Sequence, residues 1–518
     1  MPDITRGVRA FTIGTAISRI LGLVRESVFA FLFGAGTSTD AFNAAFRIPN
    51  LFRDLFAETA LSAAFIPVLA AEREKGKKGQ NLLASNVFNI LLLFAGAVVI
   101  LGIIFAPYIV RIVAFGFGRI PNKIALTTAL TSVMFPFLLF IAMAAWVMGY
   151  LNTEQKFFVP SLAPAFFNIF SIAAPIILYT HLVHRGMDPI FGMAIGVLLG
   201  GFMQFAIQVP QLYARGFRYH LYINFRDPAF KRIIVLFVPV AIGLAASRIN
   251  VTVDTFLISL LAERSMTWLN YAYRIMHLPL GLFGIAVGTV ALPTLSSLVA
   301  AKKHDEVRTT FLDSLKLVLF LTVSSSIIIA FLAFPITRLI FERGRFTSFD
   351  TVATMQAVIL YVIGIPFVAA VRNIASLYYA YKDSRTPMYA SFAAVVLNIL
   401  LNLSLMYIIG FRAFPLATTL SSLVNAGILL FYLRRKLDQV PVKQLFVFYA
   451  TLIIPACLGG AAGLGVTYAI SFYAGTTFVM QVISMLSGGV IAFVVFYCGC
   501  LLVGIRDAKT YIKRLIKR

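Results

Sequence analysis

The chain contains few charged residues, and acids are scarcer than bases. Charged residues make up 12% of its 518 residues, whereas hydrophobic residues make up 60%. This composition excludes an ordinary soluble domain, in which about a quarter of the residues are charged. Only 20 Asp and Glu stand against 44 Lys and Arg, which gives a formal net charge of +24. The sequence is therefore that of a polytopic membrane protein with a strong excess of positive charge.

Cysteines and catalytic motifs are also scarce. The three cysteines, Cys457, Cys498 and Cys500, fall in late apolar segments without the spacing of a metal site or a disulfide framework. There is no Walker A motif and no G-x-S-x-G motif, and the five histidines lack metal-ligand spacing. We therefore expect a transporter rather than an enzyme, with no resident cofactor and no nucleic-acid partner.

Apolar segments follow one another along the whole chain and predict an all-α fold. Each segment is long enough to cross a hydrocarbon core of ~30 Å. Fourteen transmembrane helices are predicted, at residues 8–34, 40–71, 83–113, 124–150, 158–182, 187–213, 231–262, 267–300, 307–337, 351–381, 387–410, 413–433, 445–472 and 477–504. The first segment contains Arg19 and Arg25 and lacks a small-residue cleavage site, so we expect no cleavable signal peptide there.

Basic residues predict the orientation of these helices. With the N-terminus in the cytoplasm, the loops on that side hold roughly three times as many Lys and Arg as the opposite loops, as the positive-inside rule requires. Both termini are then cytoplasmic. Eight basic residues lie within predicted spans instead: Arg19, Arg25, Arg47, Arg53, Arg248, Arg274, Lys316 and Arg372. Lys316 and Arg372 either snorkel to the membrane surface or line a cavity.

An internal repeat divides the chain. The pattern Asn-x-x-x-Arg-Ile at residues 43–48 recurs at residues 270–275, and Ser-Arg-Ile at residues 18–20 recurs at residues 247–249. Six helices separate the copies, so both halves enter the membrane in the same direction, related by a pseudo-two-fold along the membrane normal. This predicts two six-helix lobes with a binding site between them. The predicted domains are an N-terminal lobe (1–230), a C-terminal lobe (231–436), and helices 13 and 14 with a basic tail (437–518).

Charges inside the apolar helices mark the candidate site. Each charge at the bilayer centre costs roughly 2.5–3.5 kcal/mol on insertion scales, so such charges are usually functional. Under the two-fold, one cavity is lined by six arginines, namely Arg19, Arg25, Arg47, Arg53, Arg248 and Arg274. Alternatively, they only form structural ion pairs with the acids Glu26, Asp40, Asp54, Glu58 and Asp254. Guanidinium groups bind phosphate oxygens in a bidentate manner, which favours an amphiphile with a phosphate or diphosphate head group.

A second candidate site consists of oxygen-bearing side chains. Helix 7 carries the lone acid Asp254, helix 11 carries Asn398 and Asn402, and helix 12 carries Thr418. Together these groups predict a site for Na⁺ or a proton, which would couple transport to an ion gradient. The alternative, that Asp254 only pairs with a neighbouring arginine, stays open.

The same motifs resemble a known transporter family. Residues similar to those of the MviN/MurJ lipid II flippases, in the multidrug/oligosaccharidyl-lipid/polysaccharide exporter superfamily, lie at 18–25, 33–36, 39–42, 49–53, 56–58, 271–274, 344–347 and 386–387. The similarity extends over essentially the whole chain. It implies fourteen helices that alternate between inward- and outward-open states. Such proteins carry lipid II, an undecaprenyl-diphosphate-linked disaccharide–pentapeptide, to the outer leaflet of the bacterial cytoplasmic membrane.

The resemblance also assigns residues to the site. The arginines on which family members depend correspond to Arg19, Arg25, Arg53 and Arg274. The predicted substrate site consists of Ser18, Arg19, Arg25, Asp40, Arg47, Arg53, Glu58, Arg248 and Arg274. Helices 13 and 14 would form a groove for the polyprenyl tail, and membrane lipids and cell-wall synthesis proteins are further expected partners. Tyr273 and His277 stand where relatives can carry acids, which makes the second half more positive.

Other functions stay open on the sequence alone. A flippase for another polyprenyl-diphosphate-linked glycan would use the same arginines. A cation-coupled drug antiporter of the same superfamily would favour acids over arginines in the first half. A membrane enzyme would need a clustered acidic or metal motif that the sequence does not contain, and a scaffold for wall synthesis would have no use for arginines in a cavity.

Overall fold

Helices make up all the regular structure in the described part of the chain. A computed structural model describes every residue except 1, 54–59, 282–285, 435–440, 476, 506–507, 509–510 and 512–518, and also leaves out the side chains of residues 2–13, 60, 243–249, 286–290 and 474. Internal contacts divide the chain into two units, Met1–Thr267 and Trp268–Arg518. The predicted lobe boundary at residue 230 stays a prediction.

The described residues of the first unit form ten α-helices and the start of an eleventh. They are α1 (Pro2–Phe33), α2 (Thr37–Arg53), α3 (Ala60–Lys75), α4 (Lys77–Val113), α5 (Lys123–Met134), α6 (Phe137–Thr153), α7 (Phe158–His184), α8 (Phe191–Ala206), α9 (Val209–Ala214), α10 (Pro228–Ser259) and α11 (Ser265–Pro279). Within this unit α7 packs on both α8 and α1, and α2 packs on α5.

The described residues of the second unit form the rest of α11 and nine further α-helices. Its helices are α12 (Ala286–Ala300), α13 (His304–Phe331), α14 (Ala333–Phe341), α15 (Ser348–Ile363), α16 (Ile365–Ala380), α17 (Arg385–Ile409), α18 (Ala413–Leu433), α19 (Val442–Ala474) and α20 (Phe478–Leu502). Helix α13 packs against α12, α16 and α19. Its side chains Phe311, Leu315 and Phe320 are buried in the core of this unit.

The all-α membrane class predicted from the sequence is confirmed. Each predicted span corresponds to one helix or to two consecutive helices, such as α5 and α6 around Pro136 or α15 and α16 around Gly364. Proline interrupts the hydrogen-bond ladder of a helix, which explains the first of these breaks. Nine helical stretches of the described chain are long and apolar enough to cross a membrane. The protein is therefore a multi-pass membrane protein.

A buried ion pair connects the starts of α2 and α5 in the first unit. Lys123 Nζ lies 3.0 Å from Asp40 Oδ2, and the two side chains are only 1% and 2% exposed. The Asp40 carboxylate also accepts hydrogen bonds from the main-chain N–H groups of Arg264 (2.8 Å) and Thr267 (3.0 Å) and from Thr267 Oγ1 (2.7 Å). The ammonium group lies 4.1 Å from the ring centroid of Phe117. Both buried charges are thus compensated within the unit.

A second polar cluster lies where α6 ends. Glu154 accepts hydrogen bonds from Lys77 Nζ (2.8 Å) and Gln80 Nε2 (2.9 Å), and Arg73 Nη2 lies 3.4 Å from its other oxygen. Burial raises the pKa of Glu154, but these hydrogen bonds and the positive charges of Lys77 and Arg73 outweigh it, so the pKa is lowered overall. The cluster joins the turn between α3 and α4 to the end of α6.

Helices α19 and α20 pack with their backbones unusually close. A Cβ atom added to Gly463 would lie 2.5 Å from the carbonyl oxygen of Gly488, and one added to Gly459 would lie 2.4 Å from that of Ala492. Gly459 and Gly463 are four residues apart and face α20 together, as small residues do where membrane helices meet. In the same seam, Thr467 Oγ1 donates to the carbonyl oxygen of Gly463 at 2.8 Å.

Replacing Lys123 with Met should destabilise the first unit strongly. The substitution keeps the apolar volume but leaves the buried Asp40 without its counter-charge, a change that costs about 3–5 kcal/mol in buried pairs. We expect a lower Tm in detergent, measured by intrinsic fluorescence, and partial recovery in the double variant Lys123→Met/Asp40→Asn. Lys78→Met, at an exposed position, is the control. An unchanged Tm for Lys123→Met would show that the pair does not stabilise the fold.

Two glycines of α19 should respond differently to the same substitution. Gly463→Ala forces a methyl group against the backbone of α20, so we expect a lower Tm and less protein in the membrane. Gly465→Ala meets no atom within 4 Å and improves helix propensity, by up to about 1 kcal/mol, so its Tm should stay equal or rise. Thermal unfolding of both purified variants tests the difference. Equal Tm values would rule out the close packing of α19 on α20.

Candidate functional site

The predicted arginines of α1 differ in their surroundings. Arg25 Nη2 lies 2.7 Å from Glu26 Oε1, with the side chains 11% and 5% exposed, and its guanidinium carbon lies 5.3 Å from the ring centroid of Phe167. Arg19 is exposed, and no ion pair within the described residues involves it. The structural pairing considered from the sequence is thus realised at Arg25 and not at Arg19.

Residue Ser18 fixes α1 to α7 through its main chain. Asn168 Nδ2 of α7 donates to the carbonyl oxygen of Ser18 at 3.0 Å. The Ser18 side chain itself is half-buried, one turn before the half-buried Gly22. Helix α7 therefore packs along the part of α1 that carries the predicted polar positions.

The predicted site residues of α2 lie among polar groups of the first unit. Arg47 Nη1 donates to Thr255 Oγ1 of α10 at 2.9 Å, and Asn43 Nδ2 lies 3.4 Å from Thr267 Oγ1. Arg53 is the half-buried last residue of α2. The predicted site residue Glu58, its neighbour Asp54 and the Arg248 side chain lie outside the described residues.

Helix α11 carries the predicted residue Arg274, which is half-buried in the second unit. The neighbouring rings of Tyr273 and His277 lie 4.0 Å apart between centroids, and His277 Nδ1 is 3.1 Å from the Tyr273 carbonyl oxygen. Tyr273 and His277, at the positions where the resemblance implies that relatives can carry acids, therefore pack against each other. The residues left open by the sequence are Lys316, whose Nζ lies 5.8 Å from the Phe448 ring centroid, and the exposed Arg372.

Three of the four predicted cation ligands lie on α17 and α18. Asn398 and Asn402 are buried, and Asn402 Nδ2 donates to Asn398 Oδ1 at 3.2 Å. Thr418 Oγ1 donates to the Phe414 carbonyl oxygen at 2.9 Å. Asp254 is half-buried on α10, in the first unit. Among the described residues, no cluster of three or more His, Cys, Asp or Glu has the arrangement of a metal site. The cation site stays a prediction.

An apolar groove follows the helices predicted to hold a lipid tail. It has a volume of about 600 Å³ and lies between α14, α19 and α20. Its wall includes Phe334, Arg338, Leu339, Tyr468, Phe472 and Gln481. Such a lining suits a hydrocarbon chain, and Arg338 adds one positive charge at the wall. A second groove of about 720 Å³ between α17 and α18 is lined by Tyr389, Ala393, Gly427 and Phe431, among others.

Comparison with known sequences gives a consistent family. The family profile described as "Lipid II flippase MurJ" matches residues 29–487. A probable lipid II flippase MurJ of Vibrio cholerae is 35% identical over 426 residues, covering 80% of both chains. A probable lipid II flippase MurJ of Haemophilus influenzae is 32% identical over 510 residues, covering 95% of this chain and 98% of that protein.

The comparison with solved structures supports the same family. A structure titled "Lipid II flippase MurJ, inward closed conformation" superposes with a TM-score of 0.75 at 30% identity, covering 95% of this chain and 98% of that chain. An inward-facing MATE multidrug transporter of the MOP superfamily gives a TM-score of 0.67 at 13% identity, covering 83% of this chain and 98% of that chain, which shows a shared fold. The predicted transporter class is confirmed. With a family profile that spans most of its length and relatives above 30% identity over four-fifths of it or more, this chain belongs to the MurJ family of lipid II flippases.

Proposed function

We propose that this protein moves lipid II from the cytoplasmic to the outer leaflet of the bacterial inner membrane by alternating access. The observation that carries the proposal is the match to the MurJ family over residues 29–487, together with the similarity to a solved MurJ structure over 95% of the chain. Half-buried arginines within apolar helices support it, because a diphosphate crossing a membrane needs cationic partners.

The arginines Arg19, Arg25, Arg53 and Arg274 bind the diphosphate in this proposal. Each guanidinium offers a planar fork of N–H donors that matches phosphate oxygens. Arg19 is exposed and unpaired among the described residues, so it is the first available contact. Arg25 is held by Glu26 at 2.7 Å, so a diphosphate would have to exchange places with that carboxylate.

Other predicted site residues act by holding the helices in position. The Asp40 carboxylate accepts four hydrogen bonds from protein donors, so we assign it to positioning α2 and not to substrate contact. Arg47 has the same role through Thr255, and Ser18 through Asn168. Glu58 and Arg248 are proposed as neighbours of the substrate from their place in the sequence. This division separates residues that should alter substrate affinity from residues that should alter stability.

We also propose that both termini lie in the cytoplasm, as the excess of basic residues on that side favours. Transport then draws on the membrane potential, worth ~2.3 kcal/mol per charge per 100 mV. A cation at Asp254, Asn398, Asn402 and Thr418 is the alternative coupling device. Binding there would bias the transport cycle only if the ion prefers one of the two states.

Removing the proposed diphosphate contacts one at a time should abolish transport while the protein remains in the membrane. We expect cells that depend on this gene to lose outer-leaflet lipid II when they carry Arg25→Ala, Arg53→Ala or Arg274→Ala. Arg25→Lys should retain part of the activity, because it keeps the charge but loses the bidentate fork. The measurement is labelling of lipid II exposed on the outer leaflet, with protein levels determined by immunoblot.

The matched control is Arg185→Ala, at an exposed arginine in the turn after α7. It removes the same charge outside the proposed site and should leave transport normal. Normal export by all three alanine variants at normal protein levels would contradict the arginine site. Absence of export from the unmodified protein would instead contradict lipid II as the substrate.

A further inference from the structure

The connection between α9 and α10 is an extended segment packed along α4. We call residues 216–225 the strap. Asn89 Nδ2 donates to the carbonyl oxygens of His220 (3.2 Å) and Tyr222 (3.0 Å), and Asn89 Oδ1 accepts from the Tyr219 hydroxyl at 2.8 Å. One buried asparagine thus holds three groups of the strap.

Two further asparagines of α4 hold the ends of the strap. Asn81 Nδ2 donates to the Gly216 carbonyl oxygen at 2.9 Å. Asn86 forms a reciprocal pair with Asn224: its Nδ2 donates to the Asn224 carbonyl oxygen at 3.0 Å, and its Oδ1 accepts from the Asn224 N–H at 2.7 Å. Asn81 and Asn89 are eight residues apart, about 12 Å along a helix axis. The strap therefore follows α4 over about two turns and then reverses direction.

This arrangement satisfies main-chain groups of a segment that lies between two predicted membrane helices. Non-helical backbone close to the hydrocarbon region is tolerated only when its polar groups are bonded within the protein. We expect the strap at the membrane boundary, since the apolar stretch Phe191–Ala214 ends two residues before it and α10, a predicted membrane helix, begins three residues after it. Amide side chains of α4 supply the partners that a sheet or helix would otherwise provide.

From Tyr219 to Phe225, every second residue of the strap carries a large apolar or aromatic side chain with exposed surface. Leu221 is 84% exposed and Phe225 is 61% exposed, while Tyr219 and Ile223 are nearly half exposed. We call these four residues the apolar ridge. Four large apolar or aromatic side chains with 45–84% of their surface exposed are typical of a surface that contacts a membrane or a partner.

Positive charges flank the apolar ridge on both sides. The exposed basic residues nearest to it in the chain are Arg215, Arg218, Arg226, Lys231 and Arg232. The nearest acid, Asp227, accepts hydrogen bonds from the N–H groups of Ala229 and Phe230 as the N-cap of α10. One acid against five basic residues leaves the flanks with a net positive charge. Apolar and aromatic residues bordered by Lys and Arg are the combination that binds anionic membrane surfaces.

We propose that the strap is an interfacial anchor that binds anionic phospholipids. The apolar ridge enters the outer part of the acyl-chain region, and the flanking arginines and lysines contact the phosphate head groups. The charge complementarity and the confinement of the strap between two membrane helices favour a lipid surface over a protein partner. The anchor holds the link between the predicted repeats at the membrane surface, and it does not depend on which substrate the protein carries.

Lipid quenching of a label on the apolar ridge tests this inference. The full-length protein, with its three cysteines replaced by alanine, carries Leu221→Cys labelled with an environment-sensitive fluorophore. It is reconstituted into vesicles of phosphatidylcholine and phosphatidylglycerol. We expect quenching by a nitroxide attached near the head-group end of the acyl chain, and little quenching by aqueous iodide. In phosphatidylcholine alone the lipid quenching should fall by about half, because the head groups no longer carry net charge.

Two control positions make the result specific. Phe225→Cys lies on the same ridge and should behave like Leu221→Cys, which guards against failure of one variant to fold. Asp305→Cys, at an exposed position in the first turn of α13, should be quenched by iodide and not by the lipid nitroxide. Iodide quenching without lipid quenching at both ridge positions would overturn the membrane contact.

The basic flank is tested separately by Arg218→Gln/Arg226→Gln on the same labelled background. This double variant should remove the difference between the two vesicle compositions while leaving quenching in phosphatidylcholine unchanged. Equal lipid quenching of the unmodified flank in both compositions would overturn the preference for anionic lipids. Export of lipid II is measured in parallel, so that failure of the anchor and failure of the proposed transport function can be distinguished.

Discussion

The fold depends on one constraint: inside an assembly of apolar helices, each charge and each open main-chain group needs a partner in the same chain. The Asp40 carboxylate meets it with four hydrogen bonds, one of them from Lys123. Arg25 meets it with its neighbour Glu26 at 2.7 Å. The strap meets it with the amides of α4. These hydrogen bonds and ion pairs allow polar groups to lie among apolar helices without contact with water.

Much of the helical framework could be predicted from the sequence, because apolar length is a local property. Each predicted span corresponds to one or two helices, and the breaks that were not predicted, as at Pro136, come from individual residues within a continuous apolar stretch. The pairing of Arg25 with Glu26 was among the alternatives, since adjacent opposite charges are visible in the sequence. The family could also be recognised from the sequence, because its N-terminal motif combines several charges that are rare within membrane helices.

Long-range partners could not be predicted. Asp40 and Lys123 are 83 residues apart, and charge counting groups Lys123 with the loop residues, although it is buried at the start of α5. The substrate role considered for Asp40 rested on family position alone, which does not show that protein donors occupy its oxygens. The strap was predicted only as a basic loop. A signal for it exists in the amide side chains of α4, such as Asn86, because apolar helices seldom carry several of them without a use.

The asparagines of α4 bind main-chain atoms of the strap and almost none of its side chains. The path of the segment is therefore determined largely by α4, whereas outward side chains such as Leu221 make few contacts that would restrict their replacement. Substitution of its outward side chains can therefore change the strength of the proposed membrane contact without changing the path of the segment. A change of length by even one residue is different, since it would move every carbonyl away from its amide. In this protein one helix acts as the template for a piece of chain that has no regular structure of its own.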